Sequence, residues 1–115
     1  MTPEKSGLIT QGLMNEVIRI SQSKGRAYAG TKDSLVNFKR NAEALGLTKY
    51  QVWGVYAGKH YDSIMNCIKA NPEFPEELTE GLEGRILDLI TYLTILQCLI
   101  QEDEEAIQTI LEEVS

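Results

Sequence analysis

Apolar positions recur at helical spacing in four separate stretches. Leu13, Val17 and Ile20 share one face of a segment expected to be helical over 8–24, with Met14 and Ile18 widening the stripe. The polar run Ser23-Lys24-Gly25 reads as its stop. Leu35, Phe38, Ala42 and Leu45 form the next stripe, which predicts a helix over 32–45 with Thr31 or Asp33 as cap and Gly46 as C-terminal stop. Thr48-Lys49-Tyr50-Gln51 has capping-box spacing and opens a third helix over 48–70, with Val52, Tyr56, Ile64 and Ile68 as core candidates. Asn71-Pro72 ends it, because proline disfavours helical geometry in the residue before it.

The fourth helix is expected over 76–100, starting among acids that suit the positive end of a helix dipole. Leu82, Ile86, Leu89, Leu93, Leu96 and Ile100 are its core candidates. Residues 102–114 carry their own stripe, Ile107, Ile110, Leu111 and Val114, and either continue this helix or turn back as a fifth, acidic one. Nothing alternates with period two. The pattern therefore predicts an all-α bundle of four or five helices in a single domain spanning 1–115. The stretch 86–93 is apolar almost all round, which places its helix at the centre of the fold or sandwiched in a homo-oligomer.

A length of 115 residues, 43% hydrophobic and 24% charged, suits one globular domain. The net charge of −6 argues against nucleic acid or an anionic membrane as partner. That charge is unevenly spread: residues 1–70 carry ten Lys or Arg against five acids, whereas 71–115 carry Arg85 against twelve acids. The two parts can neutralise each other on folding, or the basic part can keep a face for an anionic ligand. Cys67 and Cys98 read as small buried hydrophobes in a reducing compartment. A single histidine and no close cysteine pair leave no structural zinc site. Met1–Ser6 is polar, unlike a signal peptide, and 86–100 is too short to span a bilayer, so a cytoplasmic protein without a membrane partner is expected.

Two segments carry candidate chemistry. Residues 24–33 combine Lys24, Arg26, Lys32, two glycines and Tyr28 ahead of a helix N-terminus, a composition that suits a phosphate or another anion. Gly25 and Gly30 have P-loop separation, but Thr31 precedes Lys32 and no strand leads in, so that motif is rejected. In the third helix, Lys49, Tyr50, Trp53, Tyr56, Lys59, His60 and Tyr61 interleave aromatic rings with cations, as stacking on a base beside a phosphate requires. Gly54 and Gly58 would admit a close backbone or a ligand. Asp88, set among apolar residues, needs a partner, either Arg85 or a base from another helix. His60 has no sequence-placed nucleophile or orienting acid, so no catalytic residue is assigned. Glu80, Glu83 and Asp88 make an incomplete magnesium set, because the first and third helices offer only Glu16 and Asp62 opposite them.

Lys24, Tyr28, Asp33, Asn37-Phe38-Lys39, Lys59 and the run from Arg85 to Tyr92 occur in an order and spacing that resembles the nucleotide-modification-associated domain family, first type. These are small phage and bacterial proteins similar to the MazG-like all-α nucleotide pyrophosphatases. The resemblance covers about Glu16 to Leu99. It implies a phage- or prophage-encoded, oligomeric, nucleotide-handling protein working in the host cytoplasm, with Lys24, Tyr28, Asp33, Asn37, Lys59, Asp88 and Tyr92 lining the site. Ala27 stands where relatives often have Asp, and Ser63 where they have Arg, and both departures argue against catalysis.

Three functions follow. The first is non-catalytic binding of a nucleotide or cyclic-nucleotide signal, such as one sequestered in anti-defence, with no cofactor. Lys24, Arg26 and Lys59 would meet phosphate, and Tyr28 or Tyr56 would stack on a base. Asp33, Asn37 and Asp88 would orient the remainder, with His60 and Tyr92 beside them. The second is a Mg²⁺-dependent nucleoside triphosphate pyrophosphohydrolase. The third is an inhibitor acting by protein–protein contact.

Overall fold

The computed structural model describes residues 1–27, 33–76 and 81–115, the side chains of 24–27 excepted. Four helices and no strand occur among them: α1 (Pro3–Ala27), α2 (Val36–Leu45), α3 (Lys49–Ala70) and α4 (Leu82–Val114). The fold is all-α, as the periodicity predicts.

Several boundaries differ from expectation, each for a local reason. α1 starts five residues earlier than the helix expected over 8–24, because Thr2 Oγ1 accepts the Lys5 N–H at 3.2 Å and Pro3 occupies the first helical position. It also runs through Ser23-Lys24-Gly25 to Ala27. α2 starts at Val36 rather than at residue 32. Asp33 Oδ1 accepts the Leu35 N–H at 2.9 Å and its carbonyl accepts that of Val36 at 3.3 Å, so Asp33 shapes the turn that leads in. Thr31, the other expected cap, lies outside the described residues. At the far end of α2, Gly46 takes φ 67°, and Leu47 N–H reaches the Ala42 carbonyl at 3.0 Å, closing a Schellman turn. The expected capping box opens α3, with Gln51 N–H on Thr48 Oγ1 and Thr48 N–H on Gln51 Oε1.

α4 begins at Leu82, not 76, and continues unbroken through 102–114, so no separate fifth helix forms there. Residues 101–114 contain neither Gly nor Pro, and two of their acids are neutralised by cations from other helices. Lys39 lies 2.8 Å from Glu102 and 2.6 Å from Asp33, and Lys49 lies 2.5 Å from Asp103. The basic and acidic parts of the chain thus pair across α2, α3 and α4.

α3 packs antiparallel on α4: Tyr50 lies by Leu99 and Asp103, and His60 lies by Asp88. α2 packs on α3, and α1 on α4. The core joins Leu35, Phe38, Ala42, Val52 and the fully buried Leu99, flanked by Tyr50, Trp53, Tyr92 and Ile95. Val17 anchors α1, while residues 1–12 are all exposed.

The core face of α4 corrects the sequence expectation. Thr91 and Leu99 are buried, whereas Ile86 and Leu93 face outward and Leu89, Leu96 and Ile100 are only half-buried. A helix apolar on all sides has no preferred face until its neighbours choose one. Leu45 and Ile18 are likewise exposed, and so is Tyr56, whose ring borders a cavity. Cys67 is half-buried and Cys98 exposed, so neither is a buried hydrophobe, and both are free thiols. A Cβ at Gly54 or Gly58 would meet nothing within 4 Å, so among the described residues no other element's backbone approaches either. No helix among the described residues is long and apolar enough to cross a membrane.

Candidate functional site

A cavity of about 440 Å³ opens between α2, α3 and α4, with Ser21 of α1 at its edge. Its apolar wall consists of Leu35, Phe38, Tyr56, Tyr92 and Ile95. Phe38 sits at the hub of the rings, edge-on to Tyr56 at 6.0 Å and to Tyr92 at 6.3 Å between centroids. Such edge-to-face contacts hold aromatic side chains in fixed orientations and leave flat faces for a ligand. Polar groups come from Ser34, Asn37, Asn41 and Thr94.

Each of these positions follows from local structure. Asn37 and Asn41 are four apart on α2, so both present on one face beside Phe38. Asn41 Nδ2 donates to Tyr56 Oη at 2.8 Å, tying α2 to α3 at the cavity wall. Tyr92 is fixed from behind: its carbonyl accepts the Trp53 indole N–H at 2.5 Å, and the His60 ring lies over its own ring at 5.2 Å, tilted 30°. The buried Thr91 hydroxyl donates to the Leu87 carbonyl at 2.8 Å within α4.

Of the residues expected to form a site, the fold brings Asn37, Tyr56 and Tyr92 to this cavity. His60 and Asp88 stand behind Tyr92 as a pair, Nδ1 to Oδ2 3.6 Å, an ion pair when the imidazole is protonated. His60 of α3 is thus a partner of Asp88, which is one-third exposed rather than deeply buried. Asp33 is apart from the cavity lining, bound to Lys39 and to the backbone of Leu35. The Lys39 ammonium and that backbone N–H hold its carboxyl below the ordinary value, and the Lys39 pKa rises chiefly through Asp33. Lys59 is exposed on α3, one turn beyond Tyr56. The side chains of Lys24 and Arg26, and the whole of Tyr28, lie outside the described residues.

Sequence reasoning missed Asn41 and Ser34 as lining groups and assigned Phe38 only to the core. The signal for Asn41 was present: two asparagines at i and i+4 flank the apolar stripe of a short helix. Cys98 also borders the cavity.

A second, shallower cavity of about 320 Å³ is rimmed by Glu102, Glu105, Gln97 and Gln101, a charge pattern unsuited to phosphate. Among the described residues, no three His, Cys, Asp or Glu side chains converge as a metal site would require. Glu80, the third acid of the magnesium set, lies outside them.

Comparisons with protein-family models, with curated proteins and with solved structures find no match for this chain.

Proposed function

We propose that the chain binds a nucleotide or nucleotide-derived signal, such as a cyclic nucleotide, in the cavity between α2, α3 and α4, and releases it unchanged. The observation that carries this reading is the pairing of three aromatic rings with two amides around about 440 Å³. That volume lies within the ~300–1,000 Å³ of small-molecule sites. A flat heteroaromatic base gains from aromatic faces, and an amide offers both a donor and an acceptor to a base edge. The Ser21, Ser34 and Thr94 hydroxyls suit a ribose. Lys59 follows Tyr56 by three positions on α3, so an exposed cation stands one turn from the aromatic wall, where a phosphate would meet it. The family resemblance points to the same ligand class and to sequestration of such a signal in phage anti-defence.

Thermal unfolding against nucleoside mono- and triphosphates and cyclic di- and trinucleotides, with and without Mg²⁺, tests the reading. A ligand at a hundred times its dissociation constant stabilises by about 2.7 kcal/mol, a rise of roughly ten degrees for a domain of this size. The expected result is one responsive ligand class, recovered intact. Turnover of the ligand would replace binding with Mg²⁺-dependent hydrolysis, and no response to any of them would remove the reading.

A further inference from the structure

The hydrogen bond that joins α2 to α3 at the cavity wall has a direction. Asn41 Nδ2 donates to Tyr56 Oη at 2.8 Å, so the hydroxyl oxygen is the acceptor and its own hydrogen is not used in that contact. The Asn41 carbonyl oxygen is likewise left over, and neither group takes part in another hydrogen bond among the described residues. An O–H donor from α3 and a C=O acceptor from α2 are thereby held as neighbours on the cavity lining. Phe38, edge-on to Tyr56 at 6.0 Å, holds the phenol ring in place. One turn earlier on α2, the Asn37 amide also lines the cavity and makes no side-chain hydrogen bond among the described residues, so it offers a second donor and acceptor side by side.

A ring that answers both places needs two edges, each with an acceptor beside a donor. Adenine has them: N7 beside one hydrogen of its amino group, and N1 beside the other. Guanine presents two acceptors, N7 and O6, on the first of these edges. Its extra amino, carbonyl and ring N–H groups would also lose water against Leu35, Phe38, Tyr92 and Ile95. Cytosine and uracil answer on one edge only and bring a smaller ring to the aromatic wall.

From this we infer that the base held in the cavity is adenine, and that Tyr56 and Asn41 together determine the choice. The inference rests on the nucleotide reading above and narrows it to adenine nucleotides, linear or cyclic. The Tyr56 hydroxyl donates to a ring nitrogen, Asn41 Oδ1 accepts from the amino group, and Asn37 meets the other edge.

Titration calorimetry of the full chain with AMP, GMP, CMP, UMP and IMP, and with cyclic di-AMP and cyclic di-GMP, reads the choice. Within whichever set binds, the adenine compound should bind about tenfold or more tighter than each of the others, the range of one two-pronged base contact. IMP is the sharpest comparison, because it keeps the purine's size and replaces the amino donor with a carbonyl. Tyr56→Phe keeps the ring and removes the donor, and should bring the adenine compound to within about threefold of its nearest competitor at unchanged helix content. Equal binding of adenine and guanine compounds by the wild type overturns the inference and leaves nucleotide binding standing. An adenine preference that persists in both Tyr56→Phe and Asn41→Ala overturns the assignment to this pair. If no compound of either set binds, the nucleotide reading falls and the adenine inference falls with it.

Discussion

Asn41 Nδ2 donates a hydrogen bond to Tyr56 Oη at 2.8 Å, and this contact joins the two helices that face each other across the cavity. A neutral side-chain hydrogen bond is worth about 1 kcal/mol, so Tyr56→Phe should lower stability by no more than that. The same change frees the Asn41 amide and alters the ring that a base would stack on. Titration with the responsive nucleotide should show at least a tenfold weaker affinity in Asn41→Ala, with a Tm change of only a few degrees.

Lys59 provides the complementary case. It is exposed and one turn from Tyr56, so Lys59→Ala should leave Tm unchanged. If it meets a phosphate, affinity for the ligand should fall tenfold or more and lose part of its salt dependence. An affinity and salt dependence equal to the wild type's would show that the phosphate lies elsewhere.

Leu99 is the most deeply buried apolar side chain, at the junction of α2, α3 and α4. Leu99→Ala should cost about 2–5 kcal/mol, from lost transfer energy and the cavity left behind. Denaturant unfolding should show it as a lower midpoint. Leu93 on the same helix is half exposed, and Leu93→Ala should cost far less.

Gly46 and Thr48 fix the α2–α3 turn from its two sides. Gly46 occupies φ 67°, where any Cβ is strained, and Gly46→Ala should cost about 1 kcal/mol. Thr48→Ala removes the α3 cap and should cost about 0.5–2 kcal/mol. Because both act on one turn, the double variant should depart from additivity in a denaturant series.

Stability should fall at both extremes of pH for reasons centred on Asp103. Lys49 and then Tyr50 hold its carboxyl below the ordinary 3.8, and Lys39 does the same for Asp33. A depressed folded pKa gives stability that is present above the unfolded value and is lost as pH falls through the folded one. Tyr50, hydrogen-bonded to Asp103, is pushed up to about 12, so its contribution is complete below pH 10 and fades between about 10 and 12. Asp103→Asn should flatten both limbs of the Tm–pH curve. Tyrosinate absorbance should show one fewer late-titrating tyrosine in that variant.

The sequence by itself determined the elements of this fold. The 3.6-residue period, the Thr48–Gln51 capping box, the Gly46 stop and Asn71-Pro72 are local features, and local backbone chemistry acts the same way in any tertiary setting. The α1 start at Thr2-Pro3 was legible in the same terms, although the apolar stripe begins later. Part of the candidate site was legible too, because Asn37, Tyr56 and Tyr92 are residue types that suit the proposed ligand. Tertiary structure alone decided which face of α4 turns inward. A helix apolar on every side gives no internal signal, so the packing of α1, α2 and α3 buried Thr91 and Leu99 and left Ile86 and Leu93 outside. It also decided that Asn41 and Phe38 converge with Tyr92, that His60 meets Asp88, and that Lys39 and Lys49 draw the acidic tail into one continuous helix. These relations link positions dozens of residues apart, and their energy exists only once the helices are docked.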